Sequence, residues 1–137
     1  MDSALAVLLE MWASTEGKAL EYVIHEHRPR NGSRHFDLRV RRPDSKELLS
    51  FAFGRQFLDD VGAKTVGVRT KDHPEHWLSI QSHRLRDIER GWLTMEKFSE
   101  SYIEFTAKGW HLRGKYKLFK LETHRNDNWL LVKTGDV

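Results

Sequence analysis

Between residues 25 and 39 the chain places its most reactive side chains at every second position: His25 and His27, then His35, Asp37 and Arg39. Apolar residues fill the alternate places as Phe36, Leu38 and Val40. A period of two is the signature of a β-strand with one face in a core and one face outside it. Pro29 and Asn31-Gly32 lie between the two runs and suit a connecting loop. Two such strands side by side would gather all five polar groups on one surface.

The same pattern extends along the chain. Residues 3–13 predict one helix, with Ser3 as its cap and Leu5, Leu8, Leu9 and Trp12 among its apolar positions. Strands are expected at 20–27, 34–41, 47–55 and 65–70, then at 101–106, 110–121 and 128–133, with a further candidate at 77–81. A loop of Ala107-Lys108-Gly109 is expected between the strands at 101–106 and 110–121. Residues 84–90 read as a short helix or a loop. About eight strands against one helix predict an all-β or β-rich chain. The expected architecture is one compact domain over 1–137, with the helical segment at 1–17 and a barrel over 20–134. Closure into a barrel would remove exposed strand edges. The tryptophans 77, 92, 110 and 129 are expected to be buried or partly buried.

Charge narrows the partner. Residues 28–71 carry eleven basic and five acidic side chains, a local excess of +6 in a chain whose net charge is +3. A polyanion fits that stretch, and so does a solvated charged face. No run of apolar residues is long enough to span a membrane as a helix. The Met-Asp-Ser start lacks a secretory n-region, and the chain has no cysteine, so a cytoplasmic location is expected.

Two or three imidazoles beside a carboxylate suit Zn²⁺, Mn²⁺ or Fe²⁺ better than Ca²⁺, which prefers oxygen. Taking His27, His35 and Asp37 as ligands leaves coordination positions open for water or substrate. His25 would then support the ligands from behind or supply a fourth. Arg39, Arg55 and His73, the last held extended by Pro74, are candidates for gripping an anion. Arg39 has the alternative of pairing with Asp37. A metal beside such cations suits phosphoryl chemistry. A His-x-Asp pair also fits a non-haem iron oxygenase or a small-molecule phosphodiesterase.

Residues 23–27 and the run His35-Phe36-Asp37-Leu38-Arg39 resemble the 3′-phosphoesterase domain of DNA ligase D and its stand-alone relatives. In that family a strand ending in His is followed by a basic loop and His-Tyr-Asp-Phe/Leu-Arg. Ser50-Phe51-Ala52-Phe53-Gly54-Arg55 is similar to the family's Ser-Trp-Ala-Val-Pro-Lys, and Asp72-His73-Pro74 to its Asp-His-Pro. Residues 109–118 and 128–133 resemble its closing strands. The resemblance spans roughly 20–134.

It implies a β-barrel carrying a Mn²⁺-dependent phosphoesterase site for 3′ ends of DNA, or of DNA ending in ribonucleotides. It also implies a role in end repair beside a DNA ligase or polymerase. His27, His35 and Asp37 would be the metal ligands, Arg39 and His73 would touch the scissile phosphate, and Arg55 would stand for the family's lysine. Some positions depart from the family: Trp77 replaces a tyrosine, Lys71 an acid, and the glycine-rich segment and the N-terminal Arg-Asp-Phe are missing. These departures leave the triad whole. They keep open a non-catalytic module that binds nucleic-acid ends.

Overall fold

The computed structural model describes residues 3–30, 32–41, 47–55, 57, 60–70, 73–74, 84–122 and 127–137, with backbone only at 4, 5, 8, 47, 73 and 74. One helix, α1 (Ser3–Ala13), precedes nine strands. They are β1 (Ala19–His27), β2 (His35–Arg41), β3 (Glu47–Phe53), β4 (Lys64–Arg69) and β5 (His73–Pro74), then β6 (Leu85–Phe98), β7 (Tyr102–Lys108), β8 (Arg113–Lys120) and β9 (Asn128–Gly135).

Eight of these strands form one antiparallel sheet that closes on itself: β1 pairs β2, then β3, β4, β9, β8, β7 and β6 follow, and β6 returns to β1. The two-residue β5 adds to β3 beyond the end of β4. The ring is β-rich with a short N-terminal helix, as the alternation implies, but it is not a regular barrel. The 14-residue β6 pairs β1 along residues 85–94 and β7 along 93–98, so it passes from one neighbour to the other.

Alternation decides what fills the ring. Phe36, Leu38 and Val40 of β2 meet Tyr22 and Ile24 of β1, Phe51 and Phe53 of β3, and Trp129 and Leu131 of β9 in one buried cluster. Each such side chain contributes roughly 1.5–3 kcal/mol by leaving water. Gly67 lets the Phe53 ring lie flat on β4, where a Cβ would collide with it. At the start of β1, Trp12 of α1 is buried and stacks on Phe98 of β6 at 5.1 Å.

Three sequence expectations need correction. Residues 84–90 are neither helix nor loop but the first half of β6, from Leu85 on. The hairpin between β7 and β8 turns through residues 109–112, not 107–109, because the backbone N–H groups of Trp110, His111 and Leu112 turn to the Glu89 carboxylate at 2.7, 2.8 and 3.0 Å. Trp129 is buried as expected, whereas Trp92 is 64% and Trp110 95% exposed. Trp92 falls on the outer face of β6, opposite Glu21, and Trp110 on the hairpin tip. The expected strand at 77–81, and Trp77 with it, lies outside the described residues.

Candidate metal centre

β1 and β2 run antiparallel with His27 directly opposite His35, His25 opposite Asp37, and Val23 opposite Arg39. All six alternate with the residues of the main core cluster and so leave the opposite face, where Val23 joins Leu48 in a smaller buried cluster and the polar groups follow towards the end of β1 remote from α1. The register therefore gathers the five polar groups on one surface, as the period of two implies.

His27, His35 and Asp37 form a group whose ligand atoms all lie within 4.8 Å of one another, and it could hold a metal ion. His35 Nδ1 is 2.7 Å from Asp37 Oδ1, and His27 Nδ1 is 3.9 Å from Asp37 Oδ2. The two imidazole rings meet edge to face with centroids 4.6 Å apart. Their side chains are 35% and 29% exposed, so the group is open to solvent on one side while its carboxylate is buried. Burial, and then the neighbouring His35, hold His27 below the usual imidazole pKa. A neutral imidazole is the form that ligates.

Behind the triad runs a chain of polar contacts. Arg39 is buried at 2% exposure. Its Nη2 donates to Asp37 Oδ2 at 3.1 Å, its Nε to His25 Nδ1 at 3.0 Å and its Nη1 to Ser50 Oγ at 3.3 Å. Because His25 Nδ1 accepts, the proton of the neutral ring sits on Nε2, which lies 2.6 Å from Asp87 Oδ1, though not in line for a straight hydrogen bond. Burial and then Arg39 keep the fully buried His25 below the usual imidazole pKa. Asp87 in turn accepts from Arg90 Nε at 2.8 Å.

A bulge makes this chain possible. Between Ile24 and His25 the register on β6 jumps from Glu89 to Asp87, leaving Ile88 as the extra residue. Without it Ile88 would face His25. With it, Asp87 reaches the outer face and Glu89 stays on the inner one, the re-aiming that bulges provide. Sequence reasoning missed Asp87 and Arg90, because no local pattern marks a bulge in a strand read as a helix or loop.

The remaining expected residues are placed less closely. Arg55 is exposed, two residues beyond the end of β3 and at the same end of the ring as His35, since Phe53 pairs with Phe36. The backbone of His73 pairs with Leu48 at the other end of β3, and its side chain lies outside the described residues. On the inner side of the same rim, between the two histidines of β1, Glu26 is 5% exposed and gathers Arg28, Arg34 and Arg86.

No protein-family model and no curated protein sequence matches this chain.

Proposed function

We propose that this protein is a metal-dependent phosphoesterase that processes 3′ ends of DNA, or of DNA ending in ribonucleotides. The observation that carries the proposal is the group of two imidazoles and one carboxylate on an open rim of the ring, with ligand atoms within 4.8 Å. The basic run at 28–71 and the resemblance of residues 23–27 and 35–39 to the 3′-phosphoesterases supply the substrate class.

The donor set fits a borderline or hard divalent ion, and Mn²⁺ is the one the resemblance favours over Zn²⁺ or Fe²⁺. Such an ion supplies Lewis acidity towards a phosphoryl oxygen. Asp37 would present one oxygen to it while Arg39 holds the other. His27 and His35 would contribute neutral nitrogens from opposite strands. Arg55, exposed at the same end of the ring, would be the side chain to steady an anion there. His25 fixes the Arg39 guanidinium, and so the Asp37 carboxylate, from behind.

A second reading has its own support. Arg39 is buried and directs donors at His25, Ser50 and Asp37. An arginine so engaged orients a ligand better than it clamps a phosphate, which favours a module that binds nucleic-acid ends without turnover. One experiment separates the two. The wild type and His35→Ala are incubated with Mn²⁺, Zn²⁺, Fe²⁺ or Mg²⁺ and with primers ending in a 3′-phosphate or a 3′-ribonucleotide. Cleavage by the wild type alone supports the enzyme. End binding with no product under any metal supports the module, and equal products from both proteins overturn the enzyme.

A further inference from the structure

Glu26 projects from β1 to the inner face, opposite Phe36 on β2 and Arg86 on β6. Three guanidiniums converge on its buried carboxylate: Arg28 Nε at 2.9 Å, Arg86 Nη2 at 3.3 Å and Arg34 Nη1 at 3.8 Å. Burial alone would push Glu26 up, but the bond from Arg28 and the charges of Arg28, Arg86 and Arg34 outweigh it and hold it below the usual carboxylate range. The cluster thus contains three positive charges and one negative.

One arginine would be enough to satisfy a buried carboxylate. Two more leave a surplus charge of +2 at the rim. Their side chains stay 62%, 49% and 68% exposed for Arg28, Arg34 and Arg86, so the charge faces solvent. The guanidiniums are nonetheless held. Each is anchored on Glu26, and Arg34 also lies over the Phe36 ring at 5.3 Å. Arginine has five N–H donors, so one bond to Glu26 leaves most of the fork available to a second acceptor. Glu26, Arg28, Arg84 and Arg86 line a hollow of about 230 Å³. That is below the roughly 300–1,000 Å³ of ordinary small-molecule pockets and suits one tetrahedral anion better than a whole organic ligand.

We infer that Arg28, Arg34 and Arg86, anchored on Glu26, bind a backbone phosphate of a nucleic-acid strand whose end lies at the His27/His35/Asp37 group. Glu26 sits in sequence between His25 and His27, so the arginine cluster and the triad occupy the two sides of one strand at one rim. A ligand reaching both needs two phosphates in a single chain. A strand meets that requirement and free phosphate does not. The inference rests on the proposed nucleic-acid substrate, but not on turnover.

The test is fluorescence anisotropy of a 5′-labelled single-stranded DNA dodecamer in EDTA, at salt from about 20 to 200 mM, with the wild type and Arg28→Ala/Arg86→Ala. Each lost phosphate contact lowers the slope of log K against log salt by roughly 0.7 for single strands, and the three arginines share one phosphate, so the double variant is expected to lose about 0.7 and to bind about tenfold more weakly at low salt. If the double variant does not fold, Arg86→Ala alone is expected to lose part of that roughly 0.7 and to bind the strand more weakly at low salt. An unchanged slope and affinity overturn the inference. So does a variant that loses binding of inorganic phosphate while binding the strand normally. Because EDTA prevents metal-dependent cleavage, a slope change stands even if no metal ever yields product, and cleavage by a protein whose strand binding ignores these arginines removes only the pocket.

Discussion

The Nε–H of Arg39 donates to Nδ1 of His25 at 3.0 Å, which makes a buried imidazole the clamp that aims the guanidinium at Asp37. Groups that orient a metal ligand from behind usually change affinity by 10–100-fold when removed. His25→Ala is therefore expected to weaken Mn²⁺ binding about tenfold, read by isothermal titration. Gln can accept from Arg39 through its oxygen and offer its N–H₂ towards Asp87, so His25→Gln is expected to recover most of the loss. Equal affinities for wild type and His25→Ala would refute the clamp.

Asp37 pairs with the buried Arg39 and belongs to the group that could hold a metal ion, and substitution can separate the two. Asp37→Ala leaves Arg39 charged in a site 2% exposed, and breaking a buried pair this way costs about 3–5 kcal/mol. Asp37→Asn keeps an acceptor for Arg39 and is expected to cost roughly 1–2 kcal/mol. Both should abolish metal binding. Urea denaturation of the two variants, beside a metal titration, checks the split.

Glu89 predicts a loss of stability in acid. Burial pushes its pKa up, but the backbone donors of His111, Leu112 and Trp110 and the Tyr22 hydroxyl bring it below the ordinary 4.5. A carboxylate depressed in the folded state stabilises fully above its unfolded pKa and loses that contribution as pH falls through the folded one. Glu89→Gln should be less stable than wild type by roughly 2 kcal/mol at pH 7. The gap should narrow steadily below about pH 4.5. Chemical denaturation at pH 7, 5, 4 and 3 measures it, and a gap that stays constant would exclude the ionised carboxylate as its source.

The same hairpin tip has no room for a side chain at Gly109. A Cβ there would press on Glu89 Oε2 and the Tyr22 hydroxyl. Gly109→Ala is expected to cost roughly 2 kcal/mol by overpacking. Gly54→Ala, whose Cβ meets nothing within 4 Å, should be close to neutral. Thermal melts of the pair provide the comparison.

The triad and the strands that carry it were legible because β1 and β2 alternate strictly, and period two fixes both the face and the company a side chain keeps. β6 was not legible, for a physical reason. Its inner face carries Glu89, whose oxygens accept hydrogen bonds from the Tyr22 hydroxyl and three backbone N–H groups, and its bulge at Ile88 breaks the alternation. A polar inner residue with a distant partner looks in sequence like a solvent-facing helix position. The exposure of Trp92 was hidden in the same way, since aromatic content does not say which face a bulged strand presents, whereas Trp110 was expected within a strand and stands on the hairpin tip between β7 and β8.

The candidate metal ligands and the hydrophobic core use the same strands but opposite faces, with Phe36 and Leu38 pointing one way and His35 and Asp37 the other. A strand with two independent surfaces lets the rim drift under selection for new ligands while the packing that keeps the chain folded stays still. Divergence in such a lineage would accumulate first in the loops and outward positions around His27 and His35. Two descendants could then differ in what they bind long before they differ in shape.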